Sequence, residues 1–171
     1  MKYFIGIDPG KDGGIAILNN NGEIVFKTNS PQIGKEADLH KIDTILKSYV
    51  VLKQHHVIME DVHSIFGMSA KSNFSFGKNV GHLEGMLIGM GTKYTLVAPK
   101  KWQKEMWEGI PEQRKPGKEG KKGPIDTKTM SLLAVKRLFP GADLRKSERS
   151  TKAHDGIVDA LLLAEYCRRN Y

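Results

Sequence analysis

Residues 1–18 read MKYFIGIDPGKDGGIAIL, and the reading of the fold turns on them. Phe4, Ile5 and Ile7 form a short apolar run bounded by Pro9 and Gly10, the pattern of a buried strand from Tyr3 to Ile7 in a mixed sheet. The run stops at Asp8, a residue with weak strand preference and a high cost of burial. A carboxylate placed there predicts a strand end that faces a cleft. Two roles fit it on this segment alone: an Asx-type turn residue bonded to its own loop, or a member of a metal or phosphate site. Gly14 to Leu18 is a second strand, and Glu23 to Lys27 continues the hairpin after Asn19-Asn20-Asn21-Gly22. Three antiparallel strands are therefore expected first, and only distant acidic residues can decide the role of Asp8.

The length of 171 residues suits a single domain over 1–171, and 39% hydrophobic residues can supply its core. The lone Cys167 excludes an intramolecular disulfide and fits a reducing compartment. No apolar run is long enough to span a bilayer and no signal-peptide pattern stands at the start, so a soluble, cytoplasmic protein without a membrane partner is expected. Lys and Arg number 27 against 19 Asp and Glu, a net charge of +8. That surplus favours a polyanionic partner, nucleic acid before membrane, because no basic amphipathic helix stands out.

Further along, Ser30 to Gly34 reads as loop, and Asp38 as the N-cap of a helix carrying Leu39, Ile42, Ile45, Leu46 and Tyr49. HVIME, 56–60, is a second apolar strand ending in a carboxylate, Glu60. His63 to Asn73 reads as loop and roughly Phe76 to Met90 as helix. In that helix Gly77, Gly81, Gly85 and Gly89 share one face. Each costs about 1 kcal/mol relative to Ala, so a closely packed neighbour is expected along the ridge, within the protomer or in a dimer mate. Tyr94 to Val97 is a strand, and Pro99 opens a short helix with Trp102, Met106 and Trp107. Glu108 to Pro124, EGIPEQRKPGKEGKKGP, reads as a flexible basic insertion that either contacts a polyanion or is merely solvated. Asp126 caps another helix, Arg145 to Lys152 is a second basic loop, and the last helix runs from about Ala153 to Arg168.

That last helix, KAHDGIVDALLLAEY, sets Asp155 and Asp159 four residues apart on one face of an otherwise apolar, buried element. Like charges at this spacing repel, and more so when desolvated. No basic residue of the helix precedes Arg168, so a divalent metal is the better counter-charge, although exposed first-turn positions at the helix N-terminus would explain Asp155 alone. Asp8, Glu60, Asp155 and Asp159 then form an all-oxygen set suited to Mg2+ or Mn2+ and not to zinc. Two such ions about 4 Å apart clamp the attacking and leaving oxygens of a phosphodiester. An acidic metal site on a basic protein is the combination a nuclease needs.

These pieces, IGIDPG with Asp8, VIMEDV with Glu60 and AHDGIVDALLLA with Asp155 and Asp159, resemble the RuvC-type Holliday junction resolvases of the ribonuclease H-like superfamily. SFGKNVGHLEGMLIGM and YTLVAPKKWQK are similar to that family's central helix, strand and basic segment. The longer Lys/Gly-rich insertion and the four-residue spacing of the Asp pair are closer to phage and viral members. The resemblance implies an α/β ribonuclease H-like fold, a five-stranded mixed sheet flanked by helices. It also implies a homodimer that resolves four-way DNA junctions by paired nicks, with two Mg2+ or Mn2+ ions per site held by the four acids. Lys128 is placed by it near the scissile phosphate, Lys100, Lys101 and Lys104 on backbone phosphates, and Phe66 at the junction centre. Without it, the three lysines of 100–104 read equally as a solvated helix face and Phe66 as a core residue.

Asp61 should point away from Glu60 and is left out, and His154 is a candidate only for proton transfer. Three other readings stay open: a ribonuclease H-like nuclease for flaps, other branched DNA or RNA–DNA hybrids; an actin-like nucleotide-binding protein; and a catalytically silent branched-DNA-binding module. The second needs a further lobe for which 171 residues are too few, so no nucleotide cofactor is expected.

Overall fold

Strand β1 (Lys2–Asp8) pairs antiparallel with β2 (Gly14–Asn19), and β2 with β3 (Ile24–Asn29), as the apolar runs and turns predict. The computed structural model describes residues 2–50, 54–63, 67, 69–118 and 121–171. After β3 comes a small ribbon, β4 (Gln32–Ile33) and β5 (Glu36–Ala37), where only loop was expected. Helix α1 (Leu39–Val50) follows, its start fixed by Asp38, whose Oδ1 accepts the Lys41 amide at 3.0 Å. Strand β6 (Gln54–Glu60) lies parallel to β1, and after α2 (Ala70–Gly89) strand β7 (Tyr94–Val97) lies parallel to β6. The helices α3 (Pro99–Met106), α4 (Thr127–Leu138) and α5 (Asp155–Asn170) complete the order. The five long strands form one mixed sheet, β3-β2-β1-β6-β7.

Side-chain alternation divides the core into two layers. Ile5, Ile7, Ile15, Ile17, Val57 and Met59 point to the face covered by Ile42 and Leu46 of α1 and by Leu83 and Leu87 of α2. Phe4, Ala16, Leu18 and Ile58 point to the other face, where α5 lies with α3 and α4 outside it. Helix α5 is buried nearly all round, as its composition demands: Gly156 to Cys167 are inaccessible apart from Asp159. It lies directly on β1. A Cβ on Gly6 would stand 2.3 Å from both the Ala160 oxygen and the Ala164 nitrogen, so only glycine lets the helix approach this closely.

One expectation needs correction and another is narrowed. Helix α2 begins at Ala70, within the presumed loop, because the Ser69 hydroxyl caps it by accepting the Ser72 amide at 3.1 Å. Its first turns are polar and solvent-facing, so no apolar period marked them. The expected neighbour of the glycine ridge is not supplied by the described residues of the same chain, which leaves a dimer mate as the other partner that was expected. Gly77, Gly81, Gly85 and Gly89 are exposed, and a Cβ on any of them would meet nothing within 4 Å. Gly6, Gly14 and Gly156 are among the glycines that do serve close approach.

The stem of the basic segment is tied by a bridge between Arg114 and Ile125, by the Lys115 amide on the Pro124 oxygen at 3.0 Å and by the Asp126 amide on the Gln113 oxygen at 2.8 Å. Among the described residues no helix is long and apolar enough to cross a membrane.

Candidate active site

Asp8 and Glu60 end neighbouring parallel strands whose register sets Ile7 beside Met59. Two-residue alternation from Phe4 and Ile58 puts both carboxylates on the α5 side of the sheet, and Asp61 on the other. Asp155 opens α5 and Asp159 follows one turn later. The helix start is pressed onto the β1–β2 turn: a Cβ on Gly156 would stand 2.2 Å from the Asp12 oxygen, and one on Gly14 2.5 Å from the Gly156 oxygen. These backbone contacts bring the helix acids to the strand acids. The chain thus gathers all four sequence-predicted carboxylates at one end of β1.

Their electrostatics follow from this crowding. Burial raises Asp159 from 3.8 to about 7, with the charges of Asp8, Glu60 and Asp155 adding to it and the Ser131 hydroxyl opposing. Glu60 rises to about 7, through burial and then the nearby Asp8 charge. Asp8 rises to about 6, again mainly through burial, with further contributions from Asp12 and Asp155. Among the described residues none of these three forms an ion pair. Each keeps only a modest donor: the Gly10 amide on Asp8 Oδ1 at 3.2 Å, the Trp102 indole N–H on Glu60 Oε1 at 2.9 Å, and Ser131 on Asp159. The Gly10 bond is the Asx-type contact considered above, so Asp8 shapes its turn and faces the site at once.

Asp155 differs. It is exposed and ion-paired with Lys128, which reaches across from the first turn of α4 and whose own pKa is raised by that bond. No basic residue within the helix was available to Asp155; the structure supplies one from a neighbouring helix, whose hydrogen bond goes to Asp155 while its charge is also felt by Asp159 and Asp12. An exposed pair of this kind is worth at most about 1 kcal/mol, so a competing cation can displace it.

Among the described residues no group of three or more His, Cys, Asp or Glu side chains is arranged to hold a metal ion as it stands. The donor chemistry nevertheless fits a hard divalent cation. The set is all-oxygen, with Asp8, Glu60 and Asp159 partly buried, and carboxylates raised to about 6 and 7 gain most when a cation neutralises them.

Two residues of this site were missed in the sequence. Trp102 has no solvent exposure and reads as core, yet its one polar atom is spent on Glu60. Ser131, buried in mid-helix, serves Asp159. A polar residue on the inward face of α4 was the only available signal for it. Lys100, Lys101 and Lys104 are exposed on α3; Gln103, and none of the three, lines the notch that holds Lys128, Ser131, Asp155 and Asp159. Phe66 lies outside the described residues. His154 occupies the N-cap position of α5 without a capping side-chain bond, and burial and the Lys146 charge lower its pKa.

No protein-family model matches the sequence, and no curated protein sequence matches it. Solved structures do. Thermus thermophilus RuvC in complex with a Holliday junction substrate superposes with a TM-score of 0.61 at 13% identity, over 96% of this chain and 91% of that one. Another Thermus thermophilus RuvC structure gives a TM-score of 0.58 at 17% identity, over 98% of this chain and 96% of that one. At such identities the likeness is one of fold, and that fold is the RuvC-type, ribonuclease H-like architecture that the three acidic motifs led us to expect.

Proposed function

We propose that this chain is a metal-dependent endodeoxyribonuclease that acts on branched DNA, resolving four-way junctions by paired nicks as a homodimer. The observation that carries the reading is the trio Asp8, Glu60 and Asp159: three partly buried carboxylates from three elements, raised well above their ordinary range and without an ion-pair partner among the described residues. A stable fold has no use for such a trio, whereas a metallonuclease requires it. The Thermus thermophilus structure with junction DNA and the +8 charge of this chain support branched DNA as the substrate.

Asp8, Glu60, Asp159 and Asp155 would hold Mg2+ or Mn2+, two ions per site. Bound there, the ions supply Lewis-acid stabilisation of the phosphodiester's developing charge. Trp102 orients Glu60 by fixing Oε1, which leaves Oε2 free for the site. Ser131 does the same for Asp159. Lys128, released from Asp155 when that carboxylate turns inward, is placed at the mouth to hold a phosphate oxygen. Paired nicks need two sites at a fixed separation, which a two-fold homodimer supplies.

The test is cleavage of four-way junction, flap, duplex and RNA–DNA hybrid substrates with and without Mg2+. Metal-dependent symmetric nicks in the junction are expected, lost in Asp8→Asn. Preference for flap or hybrid would reassign the substrate within the same chemistry. Junction binding without cleavage in any metal would leave a silent binding module.

A further inference from the structure

A second cleft opens from the same site on the side away from Asp8. It has a volume of about 510 Å3 and lies between α4 and the 142–153 loop. One wall is a ridge of α4 at four-residue spacing, Lys128, Leu132 and Lys136. The facing wall carries Arg145 and Lys152, and the floor is aliphatic, with Leu144 and Val158. Lys128, Asp155 and Val158 line both this cleft and the notch beside Asp159, so the two spaces adjoin.

The charges are not all spoken for. Arg145 is held by Asp143 through two hydrogen bonds of 2.9 Å, and Lys128 by Asp155. Lys136 and Lys152 form no ion pair among the described residues and stand on opposite rims. Cations on the rims over an aliphatic floor suit a ligand that is anionic along its edge and apolar across its face. A nucleotide strand is such a ligand: phosphates reach the rims while sugar and base edges lie on the floor. No aromatic side chain lines the cleft, so the site grips backbone and does not stack bases.

We propose that this cleft receives the nucleotides that adjoin the scissile phosphate in the cleaved strand, with Lys136 and Lys152 on successive phosphates. The proposal rests on the nuclease reading above. It shifts the main DNA contact from the sequence-favoured Lys100, Lys101 and Lys104 to the second basic loop and the outer ridge of α4.

The test compares wild type, Lys136→Ala/Lys152→Ala and a charge control, Lys41→Ala/Lys47→Ala on α1 across the sheet. Junction binding is measured over a salt series in Ca2+, and junction cleavage is measured in Mg2+. A photoactivatable thymine placed beside the scissile phosphate is crosslinked and mapped by peptide mass spectrometry. The slope of log K against log salt should become shallower by about 0.7–0.9 for each cleft lysine removed, and stay unchanged in the control. The crosslink should fall within residues 129–153. An unchanged slope in the cleft variant, or a crosslink confined to α2 or α3, overturns the proposal while wild-type cleavage keeps the nuclease reading. Wild type that cuts no branched DNA in any metal removes the nuclease reading, and the proposal falls with it.

Discussion

Asp159 is the most conflicted residue of the chain, since burial and three neighbouring carboxylates all oppose its ionisation. Asp8, Glu60 and Asp159 hold protons up to about pH 6–7 in the folded protein and release them near their ordinary 3.8–4.5 when unfolded. Between those limits the folded state binds more protons, so these groups destabilise the metal-free protein as pH rises. His56 and His154, both lowered, act in the opposite sense near the same pH. The comparison must therefore be between wild type and Asp159→Asn. We expect the variant to melt higher than wild type by roughly 4–8 °C at about pH 8, on the order of 2 kcal/mol, and the gap to close towards about pH 5. Cleavage should be lost throughout. A gap independent of pH would mean that Asp159 ionises without cost. Trp102→Phe keeps the ring and removes the N–H donated to Glu60. Calorimetric titration with Mn2+ should show affinity weaker by about 10–100-fold; unchanged affinity would reduce Trp102 to packing. The four acids were legible because a carboxylate ending an apolar run breaks the pattern around it. Trp102 was not, because an aromatic at core spacing looks like core until its nitrogen is traced.

At the scale of elements, the site exists because α5 lies on β1 with almost no side chains between them. Gly6 and Gly156 are the points of contact, each with backbone atoms closer than 2.5 Å to where a Cβ would be. Gly156→Ala should cost about 1–3 kcal/mol through overpacking. It should also cut turnover beyond what its stability loss explains, because it pushes Asp155 and Asp159 away from Asp8. Thermal melts and cleavage rates on the same preparation check this, and a fully active, equally stable variant would show that the turn yields freely. Strands β1, β2, β6 and β7 and helices α3 and α4 were readable because short apolar runs, Pro99 and Asp126 mark them locally. The start of α2 and the β4–β5 ribbon carry no apolar period, so sequence pattern had nothing to report. Glycine spacing left the partner undecided for a related reason. A regular ridge records a missing side chain, while the partner that fills the gap is set by tertiary contacts that only the fold supplies.

For the molecule as a whole, the outward face of α2 is the feature the single chain does not explain. Leu83 and Leu87 point into the core, and the opposite face carries Phe74, Gly77, Gly81, Gly85 and Ile88 at helical spacing. Phe74 is 75% and Ile88 66% exposed, and among the described residues nothing beyond the helix's own backbone comes within 4 Å of a Cβ on the glycines between them. Each such glycine costs the isolated chain about 1 kcal/mol relative to Ala. In the homodimer we propose, this flat strip meets its own copy about a two-fold axis, and dispersion between closely apposed backbones offsets the cost. Gly85→Leu separates that account from an intrachain one. Within the chain the substitution meets open space and replaces a poor helix former, so the protomer should melt no lower than wild type. In the dimer it drives a bulky side chain into the contact. Sedimentation at matched concentrations should give wild type at twice the 19.1 kDa of one chain and the variant at that single mass, with paired nicking of junctions reduced to single, uncoupled nicks. A variant that sediments and nicks like wild type would leave α2 facing solvent and place the two-fold contact on another surface.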